Sequence, residues 1–276
     1  MKQVYLTLGA VIRDQEFYVK EWLSFHHLVG VERFVLVLHK CADKTEEKIC
    51  ELPFQEKIHI HRLVSDEQFV QLGTYLWMLE NYGKFTKWMT FIDSDEFFFG
   101  TKEDDLRPIL AEYEEHGGLA THWLEFGTNG HTIKPQGLSI EAFTMRAADN
   151  HGAHYSFKAT VQPKRFRKFR SPHLAVTKPA MVTEDHCEIN PLWIWMGNRT
   201  PSHNIVRINH YHTRSMEDWV ERYKRGQCND PGPTNTPENM YNSRVFKSRD
   251  HDVVKDTAIL RFAKKLKHYC QPSDNR

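Results

Sequence analysis

Residues 87–99 read Lys-Trp-Met-Thr-Phe-Ile-Asp-Ser-Asp-Glu-Phe-Phe-Phe. The apolar, aromatic run up to Ile92 predicts a buried β-strand. The strand ends in three acids, Asp93, Asp95 and Glu96, and carboxylates in such a position are costly unless something compensates their charge. In an open α/β sheet the carboxyl ends of the strands line the ligand crevice. These acids are therefore candidate ligand-binding residues.

Asp93 and Asp95 are separated by one residue, so both carboxylates reach one small volume if the chain turns at Ser94. Two converging carboxylates repel each other unless a cation lies between them. Oxygen ligands with open positions suit Mg²⁺ or Mn²⁺, which bind substrate phosphates. The alternative interpretation is that Asp-Ser-Asp only caps a helix and solvates a turn, and the rest of the chain has to decide between the two.

Composition sets limits on the class of protein. The chain has 276 residues, 40% hydrophobic and 26% charged, as expected for a globular protein. Lys plus Arg (37) nearly balances Asp plus Glu (36), which disfavours a nucleic-acid partner. The scattered cysteines include no Cys-x-x-Cys pair, which favours a reducing compartment. We expect a cytoplasmic protein, at most peripheral to a membrane that carries its acceptor, with no transmembrane segment and no signal peptide.

The first hundred residues alternate between strand and helix patterns. Strands are predicted at Val4–Ile12, Arg33–Leu38 and Ile58–Leu63, helices between them, and then the strand that ends in acids. This alternation predicts a mostly parallel sheet with right-handed crossovers. No glycine-rich phosphate loop follows the first strand, so a metal at the acids has to hold any bound phosphates.

The remaining two thirds of the chain carry weaker patterns. Their predicted features are a strand at Leu119–Phe126, a strand at Ser139–Met145, a basic segment at Lys158–Arg170 that either neutralises a diphosphate or forms a solvated loop, a packed or sugar-stacking corner at Pro191–Gly197, a strand at Val206–Tyr211, a helix at Met216–Lys224, a mobile loop at Asn229–Asn239 and a helix at Asp250–Leu266. His210 and His212 share a strand face. We expect one domain over residues 1–227 and a C-terminal loop and helix over 228–276.

Several motifs together resemble a known family. They are Arg13-Asp14-Gln15-Glu16 with Glu21-Trp22, Gln71 with Tyr75, Phe91–Phe97, Trp123–His131, Lys158 with Pro163, and Asn209–Ser215. In this order they resemble the family 92 and family 2-like glycosyltransferases over about residues 4–227. The resemblance implies an α/β fold of the GT-A, Rossmann-like type, with helices on both sides of the sheet. It also implies a nucleotide-sugar donor, a carbohydrate or glycoconjugate acceptor, Mn²⁺ or Mg²⁺, and an inverting transfer.

The resemblance also implies roles for individual residues. The implied metal ligands are Asp93, Asp95 and His210. The implied nucleotide-binding residues are Arg13, Asp43, Gln71, Asp93 and Lys158. An inverting displacement needs a carboxylate as general base, for which Glu125 and Asp185 are the candidates.

Two departures from the family pattern keep alternatives open. The chain has Arg13-Asp14-Gln15 where the family usually has Arg-Asn-Glu, and its second strand ends in residues 38–43, Leu-His-Lys-Cys-Ala-Asp, where the family usually has Asp-Asn-x-Ser. These departures motivate a rival interpretation, a glycan- or nucleotide-binding protein that has lost catalysis. A metal-dependent phosphohydrolase is a second alternative, although two-metal sites usually draw on more ligands than cluster here.

Overall fold

The computed structural model describes residues 1–65, 70–190, 192, 200–225 and 244–270. Its strands are β1 (Val4–Ile12), β2 (Arg33–His39), β3 (Ile58–Leu63), β4 (Thr86–Phe91), β5 (Glu96–Gly100), β6 (Gly118–Glu125), β7 (Met145–Arg146), β8 (Phe157–Val161), β9 (Phe166–Phe169), β10 (Ala175–Thr177), β11 (Met181–Val182), β12 (Val206–His210) and β13 (Val254–Lys255). Its α-helices are α1 (Val19–Leu28), α2 (Thr45–Cys50), α3 (Val70–Tyr82), α4 (Leu106–Ala111), α5 (Ser139–Ala142), α6 (Met216–Arg225), α7 (Arg244–Lys247) and α8 (Ala263–Cys270). The predicted loop at 229–239 and, apart from Leu192, the predicted corner at 191–197 lie outside the described residues.

One mixed sheet forms the centre of the described part of the chain. Its strand order is β3-β2-β1-β4-β8-β6-β12-β5, with β11 paired to β6. β3, β2, β1 and β4 are parallel, as the alternation of strands and helices predicted. β8 runs antiparallel to both β4 and β6, and β5 antiparallel to β12. β4, β6 and β12 therefore run in the same direction, and their carboxyl ends lie at one edge of the sheet.

Both faces of the sheet are covered by helices, which explains the continuous apolar runs in its strands. In β2, Phe34 and Leu36 belong to one buried cluster, while Val35 and Val37 belong to another on the opposite face. α1 packs on the first face and α3 on the second, where a side chain at Gly9 would lie 2.7 Å from Met78 Sδ. The described residues form a single α/β domain.

The prediction of a strand at Ser139–Met145 is wrong for most of its length. Residues Ser139–Ala142 form the short helix α5, and only Met145–Arg146 are extended. The buried carboxylate of Glu21 accepts hydrogen bonds from the backbone N–H groups of Ser139 (2.7 Å) and Ile140 (3.1 Å). This carboxylate satisfies the first N–H groups of the turn, as a helix-capping side chain does.

The prediction of one long C-terminal helix is also wrong. β13 pairs with β7, a 3-10 helix spans Ala258–Phe262, and only Ala263–Cys270 form an α-helix. Asp256 explains the extended start, because its carboxylate binds Arg207 at 2.6 Å and Arg146 at 3.0 Å. Phe262 and Leu266 pack in the same buried cluster as α1. The domain boundary after residue 227 stays a prediction, since residues 226–243 are outside the description.

In the described ranges, no helix combines the length and the apolar character that crossing a membrane requires.

Candidate functional site

Asp93, the first acid of the motif, lies just beyond the carboxyl end of β4 and is held by side chains from two other elements. Lys158 of β8 donates from Nζ to Oδ2 at 2.6 Å, and Gln71 of α3 donates from Nε2 to Oδ1 at 2.9 Å. The backbone N–H of Asp93 donates to Glu96 Oε2 at 2.8 Å. Gln71 and Lys158, which the resemblance assigned to nucleotide binding together with Asp93, therefore both contact Asp93.

Lys158 and Glu96 form a buried charged group behind Asp93. The Lys158 side chain is 1% exposed, and its Nζ lies 3.4 Å from Glu96 Oε2. Burial alone would lower the pKa of Lys158, but the carboxylates of Asp93 and Glu96 outweigh burial and raise it. Burial raises the pKa of Glu96 to about 8, although Lys158 acts in the opposite direction. Lys158 is therefore a fixed positive charge at the end of β4.

Asp95, the second acid, is buried and faces the strand β12. Its Oδ1 lies 3.8 Å from His210 Nε2, and its Oδ2 accepts a hydrogen bond from Arg222 Nη2. Burial alone would raise the pKa of Asp95, but the charges of Arg222 and then His210 outweigh burial and hold it well below its usual range. Asp95 is therefore a carboxylate whose charge the surrounding residues already balance.

His210 is oriented by Glu125 of the neighbouring strand. The two residues are partners in the parallel pairing of β12 with β6, and His210 Nδ1 lies 2.9 Å from Glu125 Oε2. Burial opposes both charges, yet His210 lowers the pKa of Glu125 to about 2, and Glu125 and Asp95 raise that of His210. Arg249 Nη1 also contacts Glu125, at 3.4 Å. This pairing leaves His210 Nε2 directed at Asp95.

The geometry brings Asp95, His210 and His212 together as a candidate metal site. One ligand atom of each side chain lies within 4.8 Å of those of the other two, although β12 ends at His210. A histidine whose second ring nitrogen binds a carboxylate is a common arrangement in metal sites, and Glu125 supplies that carboxylate. The residues present therefore fit a divalent ion. Asp93 is not one of these three, because Lys158 and Gln71 bind its oxygens.

Arg13 and Asp43, the other residues assigned to nucleotide binding, follow β1 and β2 on adjacent loops. Asp43 Oδ2 accepts from the backbone N–H of Glu16 at 2.9 Å, and Asp14 Oδ1 accepts from that of Ala42 at 2.7 Å. Arg13 Nε lies 3.9 Å from Asp14 Oδ2. These reciprocal contacts fix the two loops together at the carboxyl edge of the parallel strands.

Asp185, one of the two candidates for the general base, lies outside this group. It follows β11, whose two residues pair with Gly118 and Leu119 at the start of β6. Its Oδ2 accepts from Cys187 Sγ at 3.3 Å, and the next residue, His186, stacks on the Tyr113 ring at 4.7 Å. The other candidate, Glu125, lies at the carboxyl edge but is bound to His210.

Two further histidines, His131 of the Trp123–His131 motif and His173, have structural partners. His131 Nε2 lies 3.3 Å from the carbonyl oxygen of Ala142, and His173 Nδ1 lies 3.1 Å from that of Phe157. Burial lowers the pKa of His173 to about 3. Neither histidine belongs to either of the two groups of possible metal ligands in the described part of the chain, Asp95 with His210 and His212, and Asp14 with Cys41 and Asp43.

The structure adds two arginines that the sequence did not assign to the site. Arg214 donates from Nη2 to the carbonyl oxygen of Ser94 at 2.7 Å and from Nη1 to Gln15 Oε1 at 2.8 Å, and it stacks on the Tyr18 ring at 3.8 Å. It thus supports the turn between the two acids. Arg222 of α6 binds Asp95. Arg214 stands inside a recognised motif, whereas no local pattern singles out Arg222.

Comparisons with known proteins agree on one family. The model of glycosyltransferase family 92 matches residues 11–254. A family 92 protein of Ricinus communis is 22% identical over 231 residues, 77% of this chain and 36% of its own length. One of Oryza sativa subsp. japonica is 24% identical over 216 residues, 77% of this chain and 34% of its own. A galactan beta-1,4-galactosyltransferase of Arabidopsis thaliana is 28% identical over 106 residues, 36% of this chain and 20% of its own. The chain thus spans about a third of the length of these family 92 relatives.

Proposed function

The chain belongs to glycosyltransferase family 92, as its motifs predicted, and from this premise we propose that it is a metal-dependent glycosyltransferase. It moves a sugar from a nucleotide-diphosphate donor to a carbohydrate or glycoconjugate acceptor. The observation that carries the proposal is the convergence of Asp95, His210 and His212 at the carboxyl edge of the sheet. The GT-A type of fold, the inverting course and the cytoplasmic location stay predictions.

The side chains of the site favour a divalent cation that accepts both oxygen and nitrogen ligands. Carboxylates suit Mg²⁺ and Mn²⁺, and imidazoles suit transition metals. One carboxylate with two imidazoles therefore favours Mn²⁺ over Mg²⁺. When bound, the ion would offset the negative charge that develops on the donor's diphosphate as the nucleoside diphosphate leaves.

The surrounding residues have distinct roles in this proposal. Glu125 fixes the orientation of His210 through the 2.9 Å contact, so it is a positioning residue as well as a candidate base. Lys158 holds Asp93 in place and supplies positive charge without access to water. Arg214 fixes the turn at Ser94. Positioning of this kind lowers the cost of aligning donor and acceptor.

The test is release of nucleoside diphosphate from UDP-, GDP- and dTDP-sugars, with Mn²⁺ and then with excess chelator. We expect slow release from one donor, stimulated by a suitable acceptor and lost both with chelator and in Asp95→Ala. Asp149→Ala serves as the control, because the Asp149 side chain is 85% exposed and forms an ion pair with Arg146 at 2.7 Å rather than with a residue of the candidate metal site. Release that persists with chelator would contradict the metal assignment. Binding of a donor without release on any acceptor would favour the binding-only alternative.

A further inference from the structure

The guanidinium of Arg222 occupies the space between two of the candidate metal ligands. Its Nη2 donates to Asp95 Oδ2, and its Nη1 lies 3.2 Å from His212 Nδ1. Because a guanidinium can only donate, His212 Nδ1 accepts this hydrogen bond and carries no proton. A neutral imidazole and a carboxylate are the forms that bind a metal.

Arg222 and a divalent cation therefore compete for the same carboxylate. Asp95 carries one negative charge, and Arg222 already balances it in a site where Asp95 is 5% exposed. Like charges repel strongly at short range where water is excluded. A metal that binds Asp95 and His212 thus requires the guanidinium of Arg222 to move away.

A cleft lies beside the candidate metal ligands. Arg222 also lines this cleft of about 200 Å³ between α6 and the loop that follows β1. Arg214 lines the same cleft and donates to the neutral oxygens of Gln15 and Ser94. Lys134, also at the cleft, is paired with Glu221. Five carboxylates also line the cleft, those of Asp14, Glu16, Asp43, Asp218 and Glu221. The positive charge of a divalent ion would offset part of this negative charge, so the phosphates of a metal-bound donor would meet Arg214 and a released Arg222 here.

We propose that Arg222 and a divalent ion alternate as partners of Asp95, and that Arg222 changes partner when the metal and the donor bind. In this account Arg222 leaves Asp95 as the divalent ion arrives and then binds a phosphate of the donor from the cleft side. The inference rests on the proposed metal-dependent transfer and assigns a donor-binding residue to it. No covalent step is involved.

The first test is titration calorimetry of Mn²⁺ into the wild-type protein, Arg222→Gln and Lys224→Gln. Lys224 is an exposed cation on the same helix, so Lys224→Gln removes an equal charge away from Asp95. We expect Arg222→Gln to bind Mn²⁺ at least about tenfold more tightly, since the competing cation is gone, and Lys224→Gln to match the wild type. Equal Mn²⁺ affinity in all three proteins would overturn this inference but would still support the proposed metal site.

The second test measures whether Arg222 contributes to nucleotide binding once the metal is bound. With saturating Mn²⁺, we expect Arg222→Gln to bind UDP, GDP or dTDP, whichever the wild type binds, about tenfold or more weakly, because charge-assisted contacts to phosphate are strong. Unchanged affinity for that nucleotide would overturn the donor-binding role. If neither the wild type nor Arg222→Gln binds Mn²⁺, the metal dependence in the proposed function fails as well.

A third measurement does not depend on how well the variant folds. The side-chain Nε–H resonance of Arg222 in the wild-type protein, assigned with Arg222→Lys, is followed by NMR as Mg²⁺ is added. We expect this resonance to shift in proportion to metal occupancy, as its partner changes from Asp95 to solvent or ligand. A resonance that stays in place while Mg²⁺ binds would overturn the exchange.

Discussion

Replacing Lys158 with Met tests whether the buried lysine supports the acid motif. Met has a similar length and no charge, so the change removes the contacts to Asp93 at 2.6 Å and Glu96 at 3.4 Å with little change in packing. Removing one partner of a buried ion pair costs roughly 3–5 kcal/mol. Asp93 is 37% exposed, so water recovers part of this loss, and Glu96, with its pKa raised to about 8, loses less than a fully ionised partner would near neutral pH.

We therefore expect Lys158→Met to lower the free energy of unfolding by about 3 kcal/mol, the lower end of that range. The measurement is urea denaturation near neutral pH with linear extrapolation to water. In thermal melts the same loss corresponds to a decrease in Tm of roughly 6–12 °C.

The matched control for Lys158→Met is Lys164→Met, in the same basic segment. Lys164 is exposed, and surface substitutions of this kind usually change the free energy of unfolding by less than about 0.5 kcal/mol. A loss below about 1 kcal/mol in Lys158→Met, similar to the control, would refute the reasoning. It would mean that Asp93 and Glu96 are stable at the end of β4 without a buried cation.

Three further predictions concern the elements that hold the site. Glu21→Ala should lower the free energy of unfolding by at least about 2 kcal/mol, because it leaves buried donors of Ser139 without an acceptor. Glu21→Gln, which keeps an acceptor oxygen, should lose less in the same urea titration. Asp256→Asn should cost about 2 kcal/mol by weakening the buried pair with Arg207, and should speed hydrogen exchange in β7 and β13; unchanged exchange there would contradict the role of this pair. For His26, burial lowers the pKa to about 3 from 6.5. Between these two pKa values, His26 is protonated in the unfolded chain and neutral in the folded chain. The free energy of unfolding therefore falls as the pH decreases below about 6.5, by about 2 kcal/mol at pH 5. His26→Gln should show a shallower decrease between about pH 7 and about pH 5, and an equal slope would contradict it.

The parallel half of the fold and the position of the acids were predictable because their signals are local. β1, β2 and β4 are largely apolar runs, β3 alternates Ile with His, and each strand is separated from the next by a helical pattern. Since the carboxyl ends of parallel strands meet at one edge, the positions of Asp93 and Asp95 followed from the strand alone. The grouping of Asp95 with His210 followed from the family resemblance, and the structure places their side chains 3.8 Å apart.

The features that sequence reasoning missed depend on contacts between distant parts of the chain. α5 begins where it does because Glu21, more than a hundred residues earlier, binds Ser139. No strand was predicted at Phe97–Phe99, yet these residues lie in β5, which pairs with β12. Arg222 reaches Asp95 only because α6 packs over the carboxyl edge. None of these contacts leaves a periodic pattern or a motif in the residues that make them.

The most direct test of the metal and donor site is the dependence of nucleotide binding on metal. Binding of UDP, GDP and dTDP is measured by calorimetry with Mn²⁺ and with chelator, in the wild-type protein and in Asp95→Asn, which keeps the shape of the side chain. We expect one nucleotide to bind the wild-type protein with Mn²⁺ and chelator to abolish this binding. In Asp95→Asn, we expect Mn²⁺ no longer to increase the affinity for that nucleotide. Equally tight nucleotide binding by both proteins, with or without Mn²⁺, would contradict this expectation.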